Sequence, residues 1–195
     1  MKKIIIILLL ISIVIINSFA GTTAVVKTNM GEFKIRLYPK DSPKTVANFV
    51  RYAENNKFKN SVFYRIINNF IIQGGGYTIN RKQNIKKIQA YKPVKSEADN
   101  GLYNIKKTVA MARSGNDPHS ATCSFFINLK SNKELNYGFT KDFKTSYTVF
   151  GRVISGWDVV EKIAGLNVQK KNQFKNYPVK DVIIENILIK KNKNY

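Results

Sequence analysis

Residues 63–76 read FYRIINNFIIQGGG, and the way this stretch pairs with itself decides what the chain builds. Two runs rich in Phe, Tyr and Ile flank an Asn-Asn pair, the composition of two short strands joined by a turn. Inside them sit one arginine, Arg65, and one glutamine, Gln73, followed by Gly74, Gly75 and Gly76. A two-residue turn at Asn68-Asn69 sets Arg65 opposite Ile72 and sends Gln73 to the other face. A three-residue loop, 68–70, sets Arg65 directly opposite Gln73, about 5 Å away. In that second register a cation and an amide form a polar pair on an apolar surface, and the glycines let another backbone come close. Such a surface holds an extended peptide. The plainer alternative leaves Arg65 on the solvent face of a barrel strand, and the hairpin pattern alone does not separate the two.

Outward from this hairpin the chain keeps alternating. AVVKTNMGEFKIRLYP (24–39) predicts a first hairpin around NMGE. DSPKTVANFVRYAENNKF (41–58) carries a helix start, with Ser42 as cap, Pro43 at the first position, and Val46, Phe49, Val50 and Ala53 on one face. Residues 77–101 lack periodicity and are expected to form a surface loop. Strand patterns return at 108–112, 124–129, 147–154 and 182–190. A second helix is expected within GWDVVEKIAGL (156–166), where Trp157, Val160, Ile163 and Ala164 share a side and Gly165 terminates it. Many short strands with two helices predict a β-barrel or a sandwich, and closure would remove exposed sheet edges.

The 195 residues are 44% hydrophobic, enough for one domain with a sizeable core. Lys2 and Lys3, the apolar run Ile4–Ile16 and the small-residue ending SFA have the layout of a secretory signal peptide. Cleavage is expected after Ala20, leaving 21–195 as a single mature domain. The apolar run is short of the roughly 20 residues that span a membrane, so an exported, periplasmic or secreted monomer without a stable membrane anchor is expected. Cys123 stands alone, which excludes an internal disulfide and fits a buried small hydrophobe. The formal charge is +21, or +19 without Lys2 and Lys3. It comes mostly from scattered lysines, densest in RKQNIKKIQAYKPVK (81–95), and predicts weak, salt-sensitive attraction to polyanions rather than a specific nucleic-acid site.

One histidine and one cysteine do not make a zinc site of the usual kind, and GGGY (74–77) lacks dinucleotide-binding spacing. His119 lies near Ser114, Asp117 and Ser120, but close neighbours in one loop seldom achieve triad geometry, so it is taken as a loop residue. Carboxylates are few and dispersed. An enzyme built from these residues needs a reaction without metal, cofactor, nucleophile or proton relay.

FYRIINNFIIQGGG resembles the signature of cyclophilin-type peptidyl-prolyl cis-trans isomerases. The likeness runs on through TNMGEFKIRLYPKDSPKTVANFV, EADNGLYN, TVAMARSGNDPHSATCSFFINL and YTVFGRVISGWDVVEKI, covering essentially all of the mature chain and resembling the bacterial exported members most. The resemblance implies an eight-stranded antiparallel β-barrel closed by two α-helices, with no cofactor. It places the catalytic arginine at Arg65 and adjoining pocket residues at Phe70, Ile71 and Gln73. It puts backbone pairing with substrate at Ala112 and Arg113, and the floor and wall of a proline pocket at Phe126 and Leu135. Tyr147 takes a position that is histidine in many members and tyrosine in bacterial ones. Two departures stand out: Ser124 replaces a usual glutamine, weakening one substrate contact, and Glu134 replaces a usual aromatic, which implies weak cyclosporin binding. The implied substrates are proline-containing unfolded or exported polypeptides, whose folding the isomerase assists. The alternative is a peptide-binding chaperone on the same barrel with weak isomerase activity.

Overall fold

Alternating burial along Gly31–Leu37 (β2) gives it one inward face, with Phe33, Ile35 and Leu37 buried while Glu32 and Arg36 reach solvent; its partner Thr23–Thr28 (β1) buries Ala24, Val25 and Val26 in succession and exposes Lys27. This is the predicted first hairpin, turned at Asn29-Met30. The computed structural model describes residues 21–191, so the segment taken as an export signal lies outside the described residues.

Seven further strands follow the sequence patterns or fill the gaps between them: Ser61–Ile67 (β3), Ile71–Ile79 (β4), Ile85–Lys87 (β5), Thr108–Met111 (β6), Phe125–Asn128 (β7), Val149–Ser155 (β8) and, after the hairpin described below, Ile183–Lys190 (β11). Hydrogen-bonded neighbours run β1-β2-β8-β6-β7-β4-β3-β11 and return to β1, every pair antiparallel. The sheet is therefore a closed eight-stranded barrel, which removes the edges that so many Ile, Val and Phe side chains would otherwise leave exposed. β5 hangs outside the ring on β4.

Helices Pro43–Glu54 (α1) and Trp157–Ala164 (α3) bury their apolar faces in the same interior. Phe49 of α1 packs its ring 5.6 Å from Phe125 and 5.1 Å from Phe150, edge-on to the first and tilted against the second. Val159, Val160, Ile163 and Ala164 form the buried face of α3, whereas Trp157 is only half-buried and its Nε1 donates to Glu161 Oε1 at 2.5 Å. A third, one-turn helix, Tyr137–Thr140 (α2), was not anticipated.

Two sequence expectations change, and one hairpin has no counterpart among them. Ser42 precedes α1 as expected, but its side chain does not cap it: Ser42 Oγ donates to the Val149 carbonyl at 2.7 Å and accepts from Asn100 Nδ2 at 2.7 Å. The cap comes from Glu97, whose carboxylate accepts from Lys44 N–H at 3.1 Å, Thr45 N–H at 2.9 Å and Thr45 Oγ at 2.7 Å. Residues 77–101 are thus more than surface loop, since they also supply the end of β4, all of β5, and buried Ile79, Ile88 and Ala98. Finally, the polar run after α3 forms a hairpin, Val168–Lys171 (β9) with Phe174–Pro178 (β10). It was missed because only Phe174 and Tyr177 of its side chains, with Pro178, are buried, packing outside the barrel against β3.

Candidate active site

The 63–76 hairpin adopts the three-residue loop. Ile67 pairs with Ile71, Ile66 with Ile72 and Arg65 with Gln73, while Asn69 takes the left-handed conformation (φ 53°) that asparagine tolerates. Gln73 in turn stands opposite Phe126 of β7, and Phe126 opposite Ala110 of β6. Arg65, Gln73 and Phe126 therefore form one row across three adjacent strands on the outer face. With strands about 4.8 Å apart, arginine and ring stand about 10 Å from each other with the amide between them.

A β-bulge re-aims the row. Between the pairs Phe63–Gly74 and Arg65–Gln73, β3 advances two residues while β4 advances one, so Tyr64 is supernumerary. Phe63 and Ile66 stay in the barrel interior, and both Tyr64 and Arg65 face outward. The glycine run compensates on the other strand, where β4 has the excess between Gly74–Phe63 and Thr78–Ser61. Gly75 sits at φ 77°, and a Cβ there would meet the Phe125 ring at 2.8 Å. A Cβ on Gly76 would lie 2.1 Å from Ser124 Oγ. The close neighbours of the glycines are thus mainly side chains of the chain itself, along with the carbonyls of Val62 and Cys123.

Polar contacts knit this corner together. Arg65 Nη1 donates to Gln73 Oε1 at 3.1 Å, Gln73 Nε2 donates to Tyr64 Oη at 2.7 Å, and Tyr64 Oη donates to Ser124 Oγ at 3.1 Å. Burial pushes the Tyr64 hydroxyl up to about 12, against the opposing pull of its bonds to Ser124 and Gln73, so the phenol stays a donor. Beside these groups lies a crevice of about 180 Å³ lined by Lys87 and Arg113 but by no carboxylate.

The apolar half of the site is a separate cluster. Buried Ile71, Ala112 and Phe126 pack with the partly buried Phe70, Leu135 and Tyr147, and the Tyr147 ring stands edge-on to Phe126 at 5.5 Å. All of the sequence-selected residues thus lie in this cluster or in the adjoining polar corner. Ala112 N–H donates to the Ser124 carbonyl at 2.9 Å, so backbone pairing of Ala112 with a peptide excludes its N–H. Arg113 is folded back: Nη1 donates to Gly115 O at 2.6 Å, Nε to Ser146 O at 3.3 Å and Nη2 to Lys144 O, with the guanidinium 4.5 Å over the Tyr147 ring. It ties the strand to the loop that carries Tyr147. Glu134 is exposed next to Leu135.

Four asparagines hold the loop of Glu134 and Leu135. Asn132 Nδ2 donates to Asn128 Oδ1 at 2.7 Å and to the Phe70 carbonyl at 3.2 Å, and Asn128 Nδ2 donates to Asn104 Oδ1 at 3.1 Å. Asn104 Nδ2 reaches Asn136 Oδ1 at 3.1 Å and the Leu135 carbonyl at 3.0 Å. The spacing 128, 132, 136 was the available signal. Tyr64 was also passed over, because a tyrosine in a strand looks like core.

His119 forms no triad. Its Nδ1 accepts from Ser96 N–H at 3.1 Å, its own N–H donates to Asp117 Oδ1 at 2.8 Å, and Ser120 Oγ bonds the carbonyls of Asp117 and Ser114. Cys123 is buried, and burial raises its thiol. Among the described residues, no three His, Cys, Asp or Glu side chains come together to hold a metal ion.

Comparison with known proteins gives concordant matches. The family described as cyclophilin type peptidyl-prolyl cis-trans isomerase/CLD matches residues 23–189. Peptidyl-prolyl cis-trans isomerase cyp18 of Streptomyces antibioticus is 41% identical over 168 residues, 86% of this chain and 98% of that protein. Peptidyl-prolyl cis-trans isomerase B of Escherichia coli K12 is 41% identical over 162 residues, 83% of this chain and 96% of that one. A crystal structure of a Cryptosporidium parvum cyclophilin type peptidyl-prolyl cis-trans isomerase, in the presence of the dipeptide Ala-Pro, aligns with a TM-score of 0.70 at 25% identity. That alignment covers 87% of this chain and 99% of the other.

Proposed function

The chain belongs to the cyclophilin-type peptidyl-prolyl cis-trans isomerases, and on that premise we propose that it turns X-Pro bonds over the row Arg65–Gln73–Phe126. Amide resonance sets a barrier of roughly 18–20 kcal/mol, and unassisted exchange takes about tens of seconds or longer. Reaching the upper range of ordinary turnover requires lowering that barrier by on the order of 7 kcal/mol. As the bond twists, the proline nitrogen pyramidalises and gains a lone pair that planar amides lack. A guanidinium directed at it stabilises the twisted form more than either planar form. A guanidinium offers only donors and carries its charge without help from a neighbour, so the reaction needs no tuned acid or base. The proline ring seats over Phe126, between Phe70, Ile71, Leu135 and Tyr147. Gln73 and the backbone near Arg113 steady the flanking peptide.

The register carries this reading, because it sets the arginine, an amide and an aromatic ring side by side on three strands. Arg65→Ala should lower kcat/KM for a proline-containing test peptide on the order of a hundredfold while leaving the melting curve intact. A fully active variant rules the assignment out.

The clients are proline-containing polypeptides that fold after export to the periplasm. Lys2, Lys3, Ile4–Ile16 and the SFA ending support this, and protein recovered from the periplasmic fraction should begin at Gly21. A mature protein that retains Met1 contradicts it. Cyclosporin binds weakly, because Glu134 leaves one edge of the pocket polar.

A further inference from the structure

Arginine carries donors and no acceptor. That asymmetry fixes every hydrogen bond downstream of Arg65. Because Arg65 Nη1 donates, the Gln73 amide must present Oε1 to it, at 3.1 Å, and Nε2 to Tyr64, at 2.7 Å. Tyr64 Oη must accept there and spend its proton on Ser124 Oγ, at 3.1 Å. All three bonds point the same way, the arrangement in which each polarises the next.

Tyr64 is the bulge residue, and its ring is held independently of the polar chain. It packs 4.9 Å from Tyr77, edge-on, and 5.2 Å from Phe174 of the outer hairpin, and the residue is 7% exposed. Ser124 stands opposite, beside Gly76, whose missing side chain leaves room for the Ser124 hydroxyl to face Tyr64. The hydroxyl therefore has a fixed address, set by packing that touches neither Arg65 nor the apolar cup.

We infer that Tyr64 is a positioning residue for isomerisation: through the Gln73 amide its hydroxyl locks the Arg65 guanidinium in the orientation that meets the twisted imide nitrogen, with Ser124 terminating the chain. This rests on the reading of Arg65 as the catalytic donor. It gives Ser124 a role at the position where the family usually has glutamine: a small hydroxyl accepts from Tyr64.

The test is a double-mutant cycle of Tyr64→Phe and Gln73→Ala, with Arg65→Ala as a control, measured as kcat and KM on a proline-containing peptide at low temperature beside melting curves. Removing the hydroxyl leaves the ring in place. Tyr64→Phe should lower kcat about tenfold, the effect of one well-placed hydrogen bond, with KM changed less than about twofold. In the Gln73→Ala background the same substitution should have no further effect, because the amide through which it acts is gone. A purely structural role predicts equal losses in both backgrounds, and a substrate contact predicts a rise in KM instead. Either result overturns the inference, as does wild-type kcat in Tyr64→Phe. If Arg65→Ala retains full activity, the catalytic reading has failed; if it is inactive while Tyr64→Phe is not slowed, only the positioning role has.

Discussion

Glu97 lies in the stretch that looked least structured, yet its carboxylate accepts three hydrogen bonds at the start of α1, so its removal tests the fold sharply. In Glu97→Ala the helix loses a cap worth about 1 kcal/mol. It also loses a favourable negative charge at its N-terminus, about 0.5 kcal/mol for a half-exposed group. Thr45 is 2% exposed, so water does not readily replace the acceptor for its N–H and hydroxyl, which adds about 1–2 kcal/mol. The total is about 3 kcal/mol, which for a domain of this size lowers Tm by roughly 6–12 °C. A thermal melt followed by circular dichroism reads this directly. At low temperature kcat/KM should stay within about twofold of wild type, because Arg65, Gln73 and Phe126 sit on other elements. A drop of less than about 3 °C would show that the three bonds are incidental and that α1 is held by its apolar face alone.

Glu134→Trp sets an indole beside Leu135 and should tighten cyclosporin binding tenfold or more, read by fluorescence titration; unchanged affinity refutes the role given to Glu134. Stability should fall as pH rises above about 10, since Tyr64, Tyr52, Tyr177 and Cys123 are all held protonated mainly by burial. The unfolded chain releases those protons first, so each contribution is full below the ordinary range of its thiol or phenol and is lost as pH rises from there through the raised value. For Tyr64, raised to about 12, this amounts to on the order of 2–3 kcal/mol, and denaturant melts that stay flat between pH 9 and 11 would refute it.

Much of the barrel was legible because the alternation of Val, Ile and Phe with charged residues is dictated by a sheet with one wet face. Strand β2 carries it throughout and β8 and β11 in part, whereas β6 and β7 are short uncharged runs buried at every position, legible from their apolar composition alone. What escaped were features set by tertiary partners. The capping role of Glu97 depends on a helix more than fifty residues away in sequence, and β9-β10 buries too few side chains to show a period. At the site, the choice between the two hairpin registers needed β7, because Phe126 opposite Gln73 fixes which face the amide occupies. The bulge at Tyr64 was invisible for a similar reason. Alternation assigns a tyrosine next to Phe63 to one face or the other, and only the extra residue on β3 lets two consecutive side chains share a face. Asn104, Asn128, Asn132 and Asn136 were concealed by the abundance of asparagine elsewhere.

The barrel has a seam, and it is sewn last. β11, the final strand, lies between β1 and β3, with Thr23 beside Lys190 and Val62 beside Ile183. A ribosome that still holds the last few dozen residues therefore holds back the piece that joins the first strand to the third. Until that piece arrives, β1 and β3 have open flanks and the ring is a sheet with two raw margins. Loop closure over nearly the whole chain is entropically slow. Closure of the ring is thereby deferred until synthesis of the last strand is finished.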